Sequence, residues 1–186
     1  VTKFTQMLRA LLPLMLTAML VPQQLRADSA RSIDRNVDMA LSQLYDETLA
    51  AKALSKVAKG VLIFPRVVKA GFIVGGQYGE GALRVRGETK GYYSTAAASL
   101  GLQAGAEAFG YALFFMTNKA LRYLETSQGW ELGVGPSIVV IDKGAAGSFS
   151  TTTANDDVYA FFFSQKGLMA GINIQGSKIS HIHPDK

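Results

Sequence analysis

The chain has 186 residues, 19 Lys and Arg against 14 Asp and Glu, a formal net charge of +5 and no cysteine. Apolar residues make up 48% and charged residues 18%, the reverse of the low hydrophobicity and high charge density that keep a chain disordered. Without cysteine there is no disulfide, no thiolate metal site and no cysteine nucleophile.

Residues 1–27 carry Lys3, Arg9 and Arg26 and no acid. The apolar run between Leu11 and Pro22 is followed by a small residue at Ala27, which is the pattern of a secretory signal peptide cleaved before Asp28. The alternative is a retained anchor; the run is shorter than the roughly 20 residues of a spanning helix, and Pro13 and Pro22 interrupt it. The expectation is therefore a signal peptide over 1–27 and a single domain over 28–186, exported to the periplasm or secreted.

From Asp28 onward the chain opens with helical periodicity. Ile33, Val37, Ala40, Leu41 and Leu44 recur at steps of three and four, predicting a helix over 32–46 that Ser29 or Ser32 can cap. A second helix over 48–58 puts Lys52, Lys56 and Lys59 in one exposed stripe, with Gly60 as its C-terminal stop. After Gly60 the texture becomes extended. Residues 61–65 predict a short buried strand ending at Pro65, and 71–79 with 81–87 predict a hairpin turning through Gly79, Glu80 and Gly81. Segments 90–108, 111–117 and 130–142 read as extended, with a short helix over 118–126 that Asn118 can cap. Residues 143–157 read as a long loop, and 158–165, 167–176 and 178–182 as closing strands. A faint echo links 70–74 with 170–174. Strands outnumber helices without regular alternation, so the fold class is α+β: N-terminal helices packed on a mostly antiparallel β-sheet.

The positive charge is not spread evenly. Residues 28–51 carry two basic and five acidic residues, a net of −3, and residues 91–186 carry six and seven, a net of −1. Residues 52–90 carry eight basic residues and two acidic, a net of +6. The eight are Lys52, Lys56, Lys59, Arg66, Lys69, Arg84, Arg86 and Lys90.

The run 58–83, the Gly91-Tyr92-Tyr93 step and residues 96–117 together resemble the SYLF domain family. The motifs are Lys59-Gly60, Phe64-Pro65, Lys69-x-Gly71-Phe72, Gly75-Gly76, Gly79-x-Gly81 and Gly101-Leu102-Gln103, with a closing stretch at 167–177. The resemblance covers roughly 35–183 and rests on many ordered short matches rather than one glycine motif. It implies a lipid-binding module: eukaryotic members bind phosphoinositides at endocytic membranes, some bind actin, and bacterial members are exported single-domain proteins. An exported protein would not ordinarily meet phosphoinositides or actin, so the part that transfers is affinity for anionic headgroups.

On this reading the eight basic residues of 52–90 are the candidate lipid-binding set. Each Lys or Arg near an anionic surface is worth about 1 kcal/mol, and arginines can grip phosphate bidentately. The alternative is an ordinary solvated face. Gly71, Gly75, Gly76, Gly79 and Gly81 match neither nucleotide-binding pattern and read as structural glycines of close-packed strands and turns. His181 and His183, two apart with Asp185 behind them, are weak metal candidates lacking a clear third ligand. Asn155, Asp156 and Asp157 are an equally weak calcium candidate. No catalytic signature is present, so no enzymatic activity and no cofactor are expected; Glu80, Glu88 and Glu107 are the acids nearest the glycine-rich region. Nucleic acid is not expected as a partner. The second reading is a protein-interaction module of the cell envelope or host interface, similar to the actin-binding relatives.

Overall fold

The computed structural model describes residues 28–71, 74–100, 105–141, 155–167 and 174–186. Helix α1 (Ala30–Glu47) forms because Ile33, Val37, Ala40 and Leu44 fall on one buried stripe, and Ser29 caps it by accepting a hydrogen bond from the Ser32 amide at 3.3 Å. Helix α2 (Leu49–Ser55) follows after Thr48 and buries Ala50, Ala51 and Leu54. It ends earlier than the periodicity suggests. Gly60 is not its stop but the first, buried residue of strand β1 (Gly60–Gly71), where a Cβ would press on Leu121, Leu83 and Val85 at 3.1–3.3 Å.

Strands β2 (Val74–Val85), β3 (Glu88–Leu100) and β4 (Gly105–Phe115) continue the sheet. Helix α3 (Asn118–Thr126) comes next; its cap is Thr117, one residue earlier than expected, whose hydroxyl accepts from the Ala120 amide at 3.2 Å. Then come β5 (Trp130–Glu131), β6 (Ile138–Ile141), β7 (Val158–Gly167) and β8 (Lys178–Ile182). Among the described residues these strands form one sheet in the order β5-β8-β3-β2-β1-β4-β7-β6. All neighbours are antiparallel except β6 with β7. The α+β class expected from the sequence holds.

Two sequence expectations about the glycine-rich stretch are corrected. Strand β1 does not end at Pro65; it runs on to Gly71, with a register break spanning Pro65 against both neighbours. A bulge is where a residue without an N–H costs no ladder bond. Residues 79–81 are not a turn either, since β2 is continuous through them. A Cβ on Gly81 would overlap the Ile63 carbonyl, and one on Gly79 would lie 2.7 Å from the Arg66 carbonyl oxygen. These glycines are small because the bulged strand beside them leans in. The tight turn lies elsewhere, at Arg86-Gly87 between β2 and β3, with Val85 paired to Glu88 and both loop residues left-handed at φ 54° and 85°. That is the two-residue hairpin geometry matching strand twist.

The sheet is covered on both faces. α1 and α2 lie on Val61, Ile63, Ala82, Ala112, Phe114, Phe161 and Phe163. The other face packs Leu62, Phe64, Leu83, Tyr93, Tyr111, Leu113 and Phe115 beneath α3, Trp130, Leu132 and Ile174. Alternation therefore sends Phe161 and Phe163 to the helices and Phe162 to the opposite core. Each fully buried side chain of this size contributes about 1.5–3 kcal/mol. The echo at 170–174, most of the strand expected over 167–176 and most of the loop expected over 143–157 lie outside the described residues. Among the described residues, no helix is long and apolar enough to cross a membrane.

Candidate functional site

The eight cations separate into distinct places. Lys56 and Lys59 follow α2 on the way into β1, Arg86 sits in the β2–β3 turn, and Lys90 is the third residue of β3. All four line one cleft of about 590 Å³, together with Glu88, Asn118 and the apolar Val57, Ala58, Val85 and Leu121. The cleft thus gathers four cations and one acid. Asn118 is the first residue of α3, so the positive end of that helix faces the same space.

Local structure explains the convergence. Lys59 is anchored through its backbone, whose amide donates to the Phe115 carbonyl at 2.7 Å, leaving its side chain exposed. Arg86 is held in a left-handed conformation that costs a non-glycine residue about 1 kcal/mol. Such strain at the lip of a cleft is the kind that functional positions retain. Lys90 donates to Glu88 at 2.7 Å, and this hydrogen bond holds the Glu88 carboxyl below its usual range. Val57, which lines the cleft just past the end of α2, is 46% exposed, and Leu49 at the start of α2 is 80% exposed.

The other members of the set go elsewhere. Lys52 is exposed on α2 and lines none of the described clefts. Arg84 does not point where Arg86 points: it is 12% exposed and turns under α1, 2.6 Å from Asp38 and 3.3 Å from Asp34. Thr89 accepts from its guanidinium and donates to Asp34 at 2.7 Å, and Tyr92 donates to the other Asp34 oxygen at 2.8 Å. Arg84 is therefore a clamp between sheet and helix: its two terminal nitrogens are turned to Thr89, Asp34 and Asp38, and its buried Nε has no hydrogen-bond partner among the described residues.

Arg66 and Lys69 lie past the bulge, toward the far end of β1. The register sets Arg66 opposite Glu80, and Lys69 between Gln77 and Glu107. Gln77 donates to the Ser177 hydroxyl at 2.7 Å. Glu107 is 6% exposed, and its Oε2 has no hydrogen-bond partner among the described residues. Glu80 accepts from the Asp28 amide at 3.0 Å and from Tyr78 at 2.7 Å, beside a cavity of about 290 Å³. Burial and Glu80 together push the Tyr78 hydroxyl up to about 12. The five structural glycines lie in β1 and β2, in strands rather than around a phosphate-binding loop.

His181 belongs to β8 and His183 follows it, both exposed. No group of three potential metal ligands occurs among the described residues. Asp157 accepts from the Thr117 hydroxyl at 2.8 Å, and the Asp156 amide donates to Tyr159 at 3.1 Å, so these loop acids tie down the start of α3 and β7. Sequence reasoning missed Val57, Asn118 and Leu121 as cleft lining. The exposed apolar residue beside the lysine stripe was the one local signal available for them.

Fold and cleft define an α+β module with a small basic recess and no catalytic cluster among the described residues. Residues 96–183, just under half of the chain, match the family model described as Ysc84, Las17-binding protein actin regulator. The match runs from within β3 to just past β8, so all eight cations of 52–90 precede it. No curated protein matches the chain.

Proposed function

We propose that the protein is a peripheral membrane-binding module without enzymatic activity, and that it takes anionic lipid headgroups in the cleft of Lys56, Lys59, Arg86 and Lys90. The observation carrying this reading is the convergence of those four cations on one recess whose lining includes the exposed Val57. Lysines supply point charges, Arg86 a planar fork for phosphate, and the rim a shallow apolar contact with the bilayer. The family assignment supports a lipid- or protein-binding role at the coarse level. Export remains part of the proposal, with residues 1–27 as a signal peptide and 28–186 as the working domain; the basic start and apolar run of the leader support it.

Co-sedimentation with vesicles tests the reading. Binding should be stronger to phosphatidylglycerol-containing vesicles than to phosphatidylcholine alone, and should weaken as salt rises. Equal and salt-insensitive pelleting with both would refute it. The protein-interaction reading has one observation of its own, the binding role printed in the family's description. A stoichiometric partner captured equally well after the cleft lysines are neutralised would favour it.

A further inference from the structure

Lys90 has a second neighbourhood. On its other side lies a separate cleft of about 560 Å³, lined by His181, His183, Lys186, Tyr92 and Pro184 among others, and Lys90 lines both clefts. The two recesses are thus joined across the first residues of β3. Register builds the second one: β8 pairs His181 with Tyr93 and Ile182 with Tyr92. The His181 ring lies tilted against Tyr93, with centroids 4.2 Å apart. The tail beyond β8 is itself held, because the Ala30 amide at the start of α1 donates to the Asp185 carbonyl at 2.8 Å.

We propose that this cleft is a second anion subsite of the same membrane-facing edge, with a charge that His181 and His183 raise on acidification. The inference rests on the headgroup reading of the first cleft and deepens it. On the strand paired to the outer side of β8, β5 carries Glu131 opposite Lys178, and the other charged groups near the histidines come from β3, the tail, α1 and α3. β3 supplies Lys90, which is held by Glu88, and the tail supplies Lys186 and Asp185. α1 supplies Asp34, whose carboxylate is occupied by Tyr92, Thr89 and Arg84. From α3, Glu125 acts on the Tyr93 ring against which His181 packs. Among these groups, histidine is the residue type that gains charge between pH 8 and 5.

With Lys90, Lys186 and two imidazole rings among its lining residues, the cleft suits a phosphate-bearing headgroup. It does not suit a metal ion, which acid would expel and for which no third ligand stands among the described residues. A bilayer can fill both recesses at once with neighbouring headgroups, and a single small anion cannot. Each charge added near an anionic surface strengthens binding about fivefold, and two about 30-fold.

The test measures binding of the protein to phosphatidylglycerol–phosphatidylcholine vesicles at pH 7.5 and 5.5, at fixed ionic strength. Wild type should bind up to about 30-fold more tightly at pH 5.5. The His181→Gln/His183→Gln protein should lose most of the acid enhancement. Lys90→Gln should weaken binding at both pH values, because it belongs to both clefts. A double variant that retains the full enhancement overturns the inference while leaving the first cleft intact. So does a wild type that binds anionic vesicles equally at the two pH values. Displacement from vesicles at pH 5.5 by inorganic phosphate, beyond the effect of chloride at equal ionic strength, would assign the subsite to a soluble anion and overturn it too. Absence of binding to anionic vesicles at either pH removes the headgroup reading itself.

Discussion

The two ends of the β1–β2–β3 ladder carry the same kinds of residue and handle them in opposite ways. At the far end, Arg66 stands opposite Glu80, and Lys69 lies between Gln77 and Glu107. Midway to the near end, Arg84 is clamped by Asp34 and Asp38. Beyond that clamp, Lys56, Lys59, Arg86 and Lys90 share one recess with Glu88 as the single acid among its lining residues. Local charge in excess of its partners, rather than the number of cations in a stretch of sequence, is what marks a surface able to attract an anionic ligand. The stretch 52–90 is basic throughout, but the described cleft that gathers four of its cations, with Lys90 alone paired to Glu88, lies where its two boundaries meet beside the hairpin.

The clamp offers the sharpest way to break this comparison. Arg84→Ala takes the cation from the part-buried Asp34 and the exposed Asp38 and should lower the unfolding free energy by about 1–2 kcal/mol. Urea denaturation reads that loss. If stability is unchanged but vesicle binding falls, Arg84 belongs with the cleft and the division drawn here is wrong.

The middle of the sheet should respond to alkali. Burial pushes Tyr93 up to about 12, and it raises the fully buried Tyr111 further, against a hydrogen bond to Thr95 that works the other way. For an acid whose folded-state pKa is raised, the unfolded chain gives up its proton first. Stability is therefore fully present below pH 10 and is lost as pH rises toward 12, by about 2–3 kcal/mol from Tyr93 alone. Chemical denaturation at pH 9, 10.5 and 11.5 checks this, and a flat profile would contradict it.

The smallest effect sharpens the contrast most finely. Arg86→Asn keeps a residue type that tolerates the left-handed turn, so the fold should gain up to about 1 kcal/mol. Binding to anionic vesicles should fall about fivefold from the lost charge. A variant that both folds and binds as wild type would show that the strained arginine serves nothing.

Helices and burial were legible in the sequence wherever the signal was local. The spacing of Ile33, Val37, Ala40 and Leu44 is enough to place α1, and the continuous apolar run 158–163 is enough to place β7. What misled was glycine, which signals both a turn and a close approach. The deciding fact for Gly79 and Gly81 is the bulge at Pro65 in the neighbouring strand, which the residues around 80 do not record. Arg84 posed the same difficulty. Its partners Asp34 and Asp38 lie on α1, far from it in the sequence, so the residues beside Arg84 in β2 do not record them. The lysine stripe after Lys52 was readable from helical spacing, yet its meeting with Arg86 and Lys90 depends on how α2 docks beside the β2–β3 turn.

The measurement that tests the central claim most directly compares two paired neutralisations for vesicle binding at low salt. Lys56→Gln with Lys59→Gln removes charge from the cleft, and Arg66→Gln with Lys69→Gln removes the same charge from the far end of β1. The cleft pair should weaken binding to anionic vesicles by about 2 kcal/mol, roughly 30-fold, while the far-end pair leaves it nearly unchanged. Equal losses from the two pairs would contradict the account, because binding would then follow total charge rather than the recess that gathers it.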